Sequence, residues 1–326
     1  MEYSQKPFLF QLRTSDRRSS ILMLALWSLC ILSVFAVILN YTVRQKVSLV
    51  HRLDSRDRAH LAAEAGVKEA IIFLQMPEDE EYLAIDVSMT GKSAVSEASS
   101  WQIKDEERKI NVNLAGFNEL ARLFQVAACM SEGEAQDLAA SIIDWRDSDS
   151  VLFSPAGGAE DPYYRNTSFP YEAKDAAFDV LDEILLVKGM SQDIFEKVRN
   201  LLTIYGDGRV NFNTASSAVL LALGLGQVTV DKILTFRKGK DGVEVTEDDG
   251  IVGHLDLIVQ YLGEAAVSLT PDEIAQLSFL AQNFLTIQSH YFMINSRVSS
   301  REGTGRAAEV LCIVDREGKI LYWKES

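Results

Sequence analysis

Five carboxylates, Asp144, Asp147, Asp149, Glu160 and Asp161, fall in one stretch that also holds Pro155, Gly157, Gly158 and Pro162. Calcium takes roughly six to eight hard oxygens at about 2.3–2.6 Å, and loop carboxylates with backbone carbonyls supply such a set. The stretch is not an EF-hand, because the glycine at loop position six and the glutamate at position twelve are missing. Read alone, it is either a solvated acidic turn or a calcium site. A second acidic stretch, with Asp241, Glu244, Glu247, Asp248 and Asp249, reads as a solvated turn. Catalytic patterns are absent. His51, His60, His254 and His290 have no nucleophile beside them in the chain, and there is no Gly-x-Ser-x-Gly, His-Glu-x-x-His or phosphate-binding loop. Cys30, Cys129 and Cys312 form no Cys-x-x-Cys, which argues against zinc and iron–sulfur chemistry. Cys129 and Cys312 are expected as free buried thiols, with pairing in an oxidising compartment as the alternative. These features point to a protein that is not an enzyme.

The elements that must carry this segment begin with a membrane anchor. Ile21 to Leu39 contains no charge and is the only such run in the 326-residue chain. At about 1.5 Å per residue it spans roughly 29 Å, close to a hydrocarbon core. A cleaved signal peptide would have a shorter apolar region and a small-x-small site after it, which Asn40-Tyr41-Thr42-Val43-Arg44 does not offer. Lys6, Arg13, Arg17 and Arg18 precede the run and Arg44, Lys46, Arg52 and Arg58 follow it, so the charge rule gives no orientation. Beyond Tyr41 the apolar residues recur at three- and four-residue spacings as far as Leu74, with charges on the other faces. That predicts one long helix from about Ile21 to Gln75, closed by Pro77. Such a helix serves as an assembly device or as a membrane stalk. The net charge of −15 repels nucleic acid.

Lys109-Ile110-Asn111-Val112-Asn113-Leu114-Ala115 reappears as Arg209-Val210-Asn211-Phe212-Asn213-Thr214-Ala215. Each copy reads as a short strand entering a helix, Asn118 to Val126 and Ser216 to Leu223. Asn113, Asn213 or the residue after each is expected to cap the helix. Two copies suggest a duplicated helical unit. Leu185–Met190 and Ala222–Gly226 look like helix–hairpin–helix turns, the first between helices at Ala177–Leu186 and Ser191–Leu202. Such turns can hold DNA phosphates, but the acidic surroundings favour structural packing. From Phe284 the pattern alternates, and three antiparallel strands are expected, with Gly303-Thr304-Gly305 between the first two, a turn at Asp315-Arg316-Glu317-Gly318 between the last two, and Ser100–Asp105 as a fourth strand. The architecture expected is α+β, with a long N-terminal helix packed on an antiparallel sheet and a large α-helical domain inserted between strands.

The residues resemble a known family. Ser141-Ile142-Ile143-Asp144-Trp145-Arg146-Asp147-Ser148-Asp149 and Gly158-Ala159-Glu160-Asp161-Pro162-Tyr163-Tyr164 carry the resemblance. So do Pro170–Phe178, Asp182–Met190 and Gly208–Ala215, all in the order found in K-type minor pseudopilins of type II secretion systems. The resemblance implies a pilin-like fold and a tip position on the pseudopilus, initiating or capping assembly for protein secretion. It implies I- and J-type minor pseudopilins as partners, an inner-membrane anchor with the soluble part in the periplasm, and possible contact with secreted cargo. It also raises the expectation of calcium at Asp144, Asp147, Asp149, Glu160 and Asp161. Processing by prepilin peptidase would fall between Ser19 and Ser20, with methylation of the new terminus; family members carry Gly where Ser19 stands. Counted from Ser20, position five is Leu24 where most pseudopilins have Glu, and an apolar residue suits a tip subunit with no neighbour ahead of it. The alternative is a minor pilin of a type IV pilus or DNA-uptake machine. The expected division is a leader over 1–19, a transmembrane helix over 20–41, pilin-like helix and first strand over 42–108, an inserted helical domain over 109–282, and C-terminal strands over 283–326.

Overall fold

The computed structural model describes residues 16–75, 89–93, 99–154, 157–242, 248–265, 267–298 and 308–326. Most of the basic leader, Pro77 and the Gly303-Thr304-Gly305 stretch lie outside them. Helix α1 runs Asp16–Leu74. The chain divides into two units, Met1–Arg58 and Ala59–Ser326. In the first, Ile21–Val50 is long and apolar enough to cross a membrane, with a mean hydropathy of 2.7 and none of it buried in protein.

The second unit holds a five-stranded antiparallel sheet in the order β1-β2-β7-β8-β9. Its strands are β1 (Met89–Lys92), β2 (Ser99–Asp105), β7 (Tyr291–Val298), β8 (Ala308–Asp315) and β9 (Ile320–Glu325). Alternation along β2, β7 and β8 turns Trp101, Ile103, Phe292, Ile294, Val310, Cys312 and Val314 toward Ala63, Val67, Ala70 and Leu74 of α1. Small residues on this helix face let it lie close to the sheet. Gly66 meets Ser296 here, and a Cβ at Gly66 would stand 2.4 Å from Ser296 Oγ. Cys312 is buried in this core, Cys129 is exposed, and both are free thiols.

β2 and β7 are neighbours, with Trp101 opposite Ser296 and Ile103 opposite Ile294. Everything between them is therefore an insertion. It consists of β3 (Ile110–Asn111), α2 (Phe117–Ala128), α3 (Glu132–Arg146), α4 (Asp161–Tyr164), α5 (Gln192–Val198), β4 (Leu202–Thr203), β5 (Val210–Asn211), α6 (Ser217–Ala222), α7 (Gln227–Arg237), α8 (Ile258–Glu264), α9 (Pro271–Asn283) and β6 (Leu285–Thr286). The heptad repeat marks two copies of one unit. β3 pairs with β4 and β5 pairs with β6, both in parallel. Asn111 Oδ1 accepts the Asn113 N–H at 2.9 Å, and Asn211 Oδ1 accepts the Asn213 N–H at 2.9 Å. The guanidinium of Arg146, ending α3, donates to the Ala115 carbonyl; that of Arg237, ending α7, donates to the Ala215 carbonyl. One apolar core runs through both copies, including Leu120, Phe124, Leu138, Phe212, Leu220 and Ile233.

The two second asparagines do not cap the helices that follow. The N-cap residues are Gly116 and Ser216, and the Ser216 side chain accepts the Val219 N–H. Instead each asparagine clamps a distant backbone. Asn113 donates to the Phe178 carbonyl and accepts its N–H; Asn213 does the same with Val252. The first clamp also explains a departure from the expected pattern. With Phe178 held to Asn113 and Val180 extended, the segment expected as a helix over 177–186 narrows to a 3-10 turn at Leu181–Leu186. Leu285 and Thr286, read as the start of the C-terminal strands, pair with β5 inside the insertion instead.

Three consecutive acids join the sheet to the insertion. Asp105, Glu106 and Glu107 are all buried. Asp105 accepts the Glu107 N–H and the Thr214 hydroxyl. Glu106 is held by Lys109 Nζ at 2.7 and 2.8 Å. Glu107 accepts the His290 N–H through its side chain and the Asn211 N–H through its carbonyl. Burial is the largest influence on all three and pushes them up as acids, Glu107 to about 7.

Candidate metal centre

The acidic segment starts on the last turn of α3. That helix is fixed at its start by Ser131 and Glu134, which form a capping box. At its end Arg146 holds it to the β3 copy of the repeat. Asp144 is fully buried. Its Oδ1 accepts the Phe153 N–H at 2.7 Å and its Oδ2 accepts the Ala159 N–H at 2.8 Å, so it pins both ends of the loop between. Gly158 passes over this carboxylate with φ +105°, and a Cβ there would stand 2.2 Å from Asp144 Oδ2, so the position needs glycine. Asp161 opens α4. Its Oδ1 accepts the Ala173 N–H at 2.9 Å and its Oδ2 receives Arg165 Nη2 at 2.6 Å.

Asp144 and Asp161 thus spend their oxygens on the protein itself. The other three expected residues converge. One carboxylate oxygen from each of Asp147, Asp149 and Glu160 lies within 4.8 Å of the others. Glu160 is 5 % exposed, and its Oε1 has no hydrogen-bond partner. A buried acceptor without a donor is costly, and more so when charged. Burial, then the fields of Asp144, Asp147, Asp175 and Asp149, raise Glu160 to about 7. Burial likewise raises Asp144 and Asp147. The acids of this cluster repel one another, Arg146 offsets Asp147 in part, and Glu160 calls for further positive charge. A hard divalent cation on the three carboxylates would supply it, with backbone carbonyls or water completing the shell. Asp175 is the member that sequence reading passed over. It holds a left-handed backbone (φ 51°), donates its N–H to the Trp145 carbonyl at 3.1 Å, and adds its charge to Asp147 and Glu160. Its distance along the chain hid it.

The remaining candidates sit elsewhere. In the second acidic loop Asp248 Oδ2 accepts the Lys240 and Asp241 N–H groups, and residues 243–247 lie outside the described residues. Lys188, in the first hairpin-like turn, is engaged by Asp137 Oδ1 at 3.0 Å and the Gly158 carbonyl at 3.1 Å. Ser19 and Ser20 fall within α1.

A family model described as "Type II secretion system (T2SS), protein K" matches residues 94–207, the stretch that contains the carboxylate cluster. A protein of Aeromonas hydrophila named Type II secretion system protein K is 33 % identical over 115 residues, which is 33 % of this chain and 34 % of that protein. The match therefore spans about a third of the relative's length. Among solved structures, the GspK-GspI-GspJ complex of the enterotoxigenic Escherichia coli type 2 secretion system matches with a TM-score of 0.54 and 16 % identity, over 87 % of this chain and 99 % of the matched one. That likeness is one of fold. The family model and the Aeromonas hydrophila relative, each over part of this chain, carry the name of the family that the residues resemble, and the solved structure adds a likeness of fold.

Proposed function

We propose that this chain is a K-type minor pseudopilin that assembles through α1 with I- and J-type partners and takes part in type II protein secretion without catalysing a reaction. The observation that carries the reading is the combination of an apolar helical span with a sheet into which a duplicated helical domain is inserted between neighbouring strands β2 and β7. The family match over 94–207 and the fold match to a chain of the GspK-GspI-GspJ complex support it. In this reading the span Ile21–Val50 anchors the protein in the inner membrane and the second unit lies in the periplasm. Prepilin peptidase would cut between Ser19 and Ser20, and the subunit would initiate or cap the pseudopilus and meet cargo there. The cluster of Asp147, Asp149 and Glu160 would hold calcium, stiffening the loop between α3 and α4.

The test is co-expression of the full chain with I- and J-type pseudopilins of the same secretion system, followed by detergent extraction and purification on a tag carried by this chain. A stoichiometric three-protein complex is expected. Recovery of this chain alone, folded and in the membrane fraction, would overturn the reading.

A further inference from the structure

The geometry points to β9 as a docking edge for an extended acidic peptide segment of another protein, received by strand addition. β9 is the outermost strand of the five, and its far edge pairs with no described strand. Such an edge presents unpaired N–H and C=O groups, and proteins usually blunt it with charged side chains (on β9, Lys324 and Glu325), a bulge, a proline or a covering element. Here six residues run without proline, and the only irregularity lies on the β8 side, at Ile313/Val314. Ile320, Leu321 and Trp323 are 46 %, 38 % and 36 % exposed. On the face toward α1, Glu325 receives the Trp323 indole N–H at 2.7 Å and lies 3.7 Å from His60 Nδ1.

On the opposite face Tyr322 and Lys324 border a cleft of about 170 Å³ between the sheet and the insertion. Met293, Leu311 and Ile313 form its apolar sheet-side wall. A cavity of about 150 Å³ accepts a benzene ring, so this one suits a single large apolar side chain. A strand laid beside β9 would send every second side chain to this face, next to Tyr322 and Lys324.

Charge decides what kind of segment fits. Lys324 forms no ion pair among the described residues. Arg199 lines the same cleft and reaches Glu196 at 3.1 Å, outside the lining. Lys109 is paired to Glu106, whose charge it offsets. In a chain of net charge −15, this cleft presents three cations against Glu106 and Asp182. An apolar residue flanked by acidic ones satisfies both the wall and the rim. This inference is independent of the calcium and secretion readings.

The experiment uses the full chain in detergent micelles with two six-residue probe peptides, one alternating Leu and Glu and one alternating Leu and Lys. Amide hydrogen exchange with the Leu/Glu peptide should slow at 320–325, and fluorescence anisotropy should show binding that Lys324→Glu weakens about threefold to tenfold. Arg199→Glu, on a separate element, should weaken it likewise, and Lys324→Glu should favour the Leu/Lys peptide. Both sites are surface-exposed, and an unchanged melting curve confirms folding. Absence of protection in β9 at millimolar peptide, or binding of the Leu/Glu peptide by either variant as tight as by the parent, would overturn the proposal. Protection of β9 without peptide, together with a doubled mass, would overturn it in favour of a second copy of this chain as the occupant.

Discussion

Glu107 offers a direct test of how the sheet and the insertion are joined. It is buried beside Asp105 and close to Asp207, and its hydrogen bonds to the His290 and Tyr291 amides do not offset the cost of burying a charge. Its folded-state value stands at about 7 against an ordinary 4.5. A glutamate raised in this way favours the folded protein while protonated. That contribution is full below about 4.5 and is lost as pH rises through about 7. Moving the carboxyl from 4.5 to about 7 is worth about 3.4 kcal/mol at most, and residual solvent contact brings it to about 1–3 kcal/mol. Glu107→Gln retains an oxygen for the His290 N–H and removes the charge. Its stability should equal that of the parent at pH 4.5 and exceed it by about 1–3 kcal/mol at pH 8. Urea unfolding of the full chain in a fixed detergent, followed by Trp fluorescence at half-unit pH steps, reads this directly. A variant less stable than the parent at pH 8, or a gap that does not grow between pH 5 and 8, would refute the reasoning. Either would mean that the carboxylate's hydrogen bonds outweigh its desolvation.

Two further outcomes follow from the insertion. Calcium at one hundred times its dissociation constant should add about 2.7 kcal/mol and raise the melting temperature by about 5–10 °C, an increase that Glu160→Gln or Asp147→Asn removes. A parent melting curve unmoved by millimolar calcium after chelation would contradict the site. Asn113→Ala and Asn213→Ala should each cost about 1–3 kcal/mol by orphaning a backbone N–H and carbonyl. Because the clamps lie in separate copies, the double variant should show the sum within about 0.5 kcal/mol. Strong non-additivity in chemical denaturation would show that the two clamps are energetically coupled rather than independent.

Periodicity made the long helix and the alternating strands legible, because the 3.6 and 2 repeats of α1 and of β7–β8 are local properties of the chain. The repeated heptad disclosed the duplication for the same reason. What the asparagines of that heptad do was not legible, since Asn113 and Asn213 find their partners far along the chain at Phe178 and Val252. The five carboxylates were visible as a group, but composition cannot separate Asp144 and Asp161, consumed by backbone amides and Arg165, from the three that converge. Asp105-Glu106-Glu107 escaped notice because a run of acids ordinarily lies in water. Its burial depends on Thr214, Lys109 and His290, none of which local pattern associates with it except Lys109.

The duplication also indicates why a cation would be wanted in one copy. Both copies close the same circuit, from an arginine at the end of the second helix to a backbone clamped by the second asparagine. In the second copy the chain goes from Arg237 to Val252; in the first it goes from Arg146 to Phe178, more than twice as many residues. The longer excursion costs more closure entropy and leaves more backbone to order. Asp144 and Asp161 tie it at two points, yet the ties bring Asp147, Asp149 and Glu160 together, where Arg146 offsets Asp147 in part while the neighbouring acids raise Glu160. A divalent cation at that point would turn the repulsion into a third tie. Chelator should therefore loosen residues 147–160 in hydrogen exchange while leaving the β5–β6 copy unchanged. Equal loosening of both copies would place the cation's effect somewhere other than this loop.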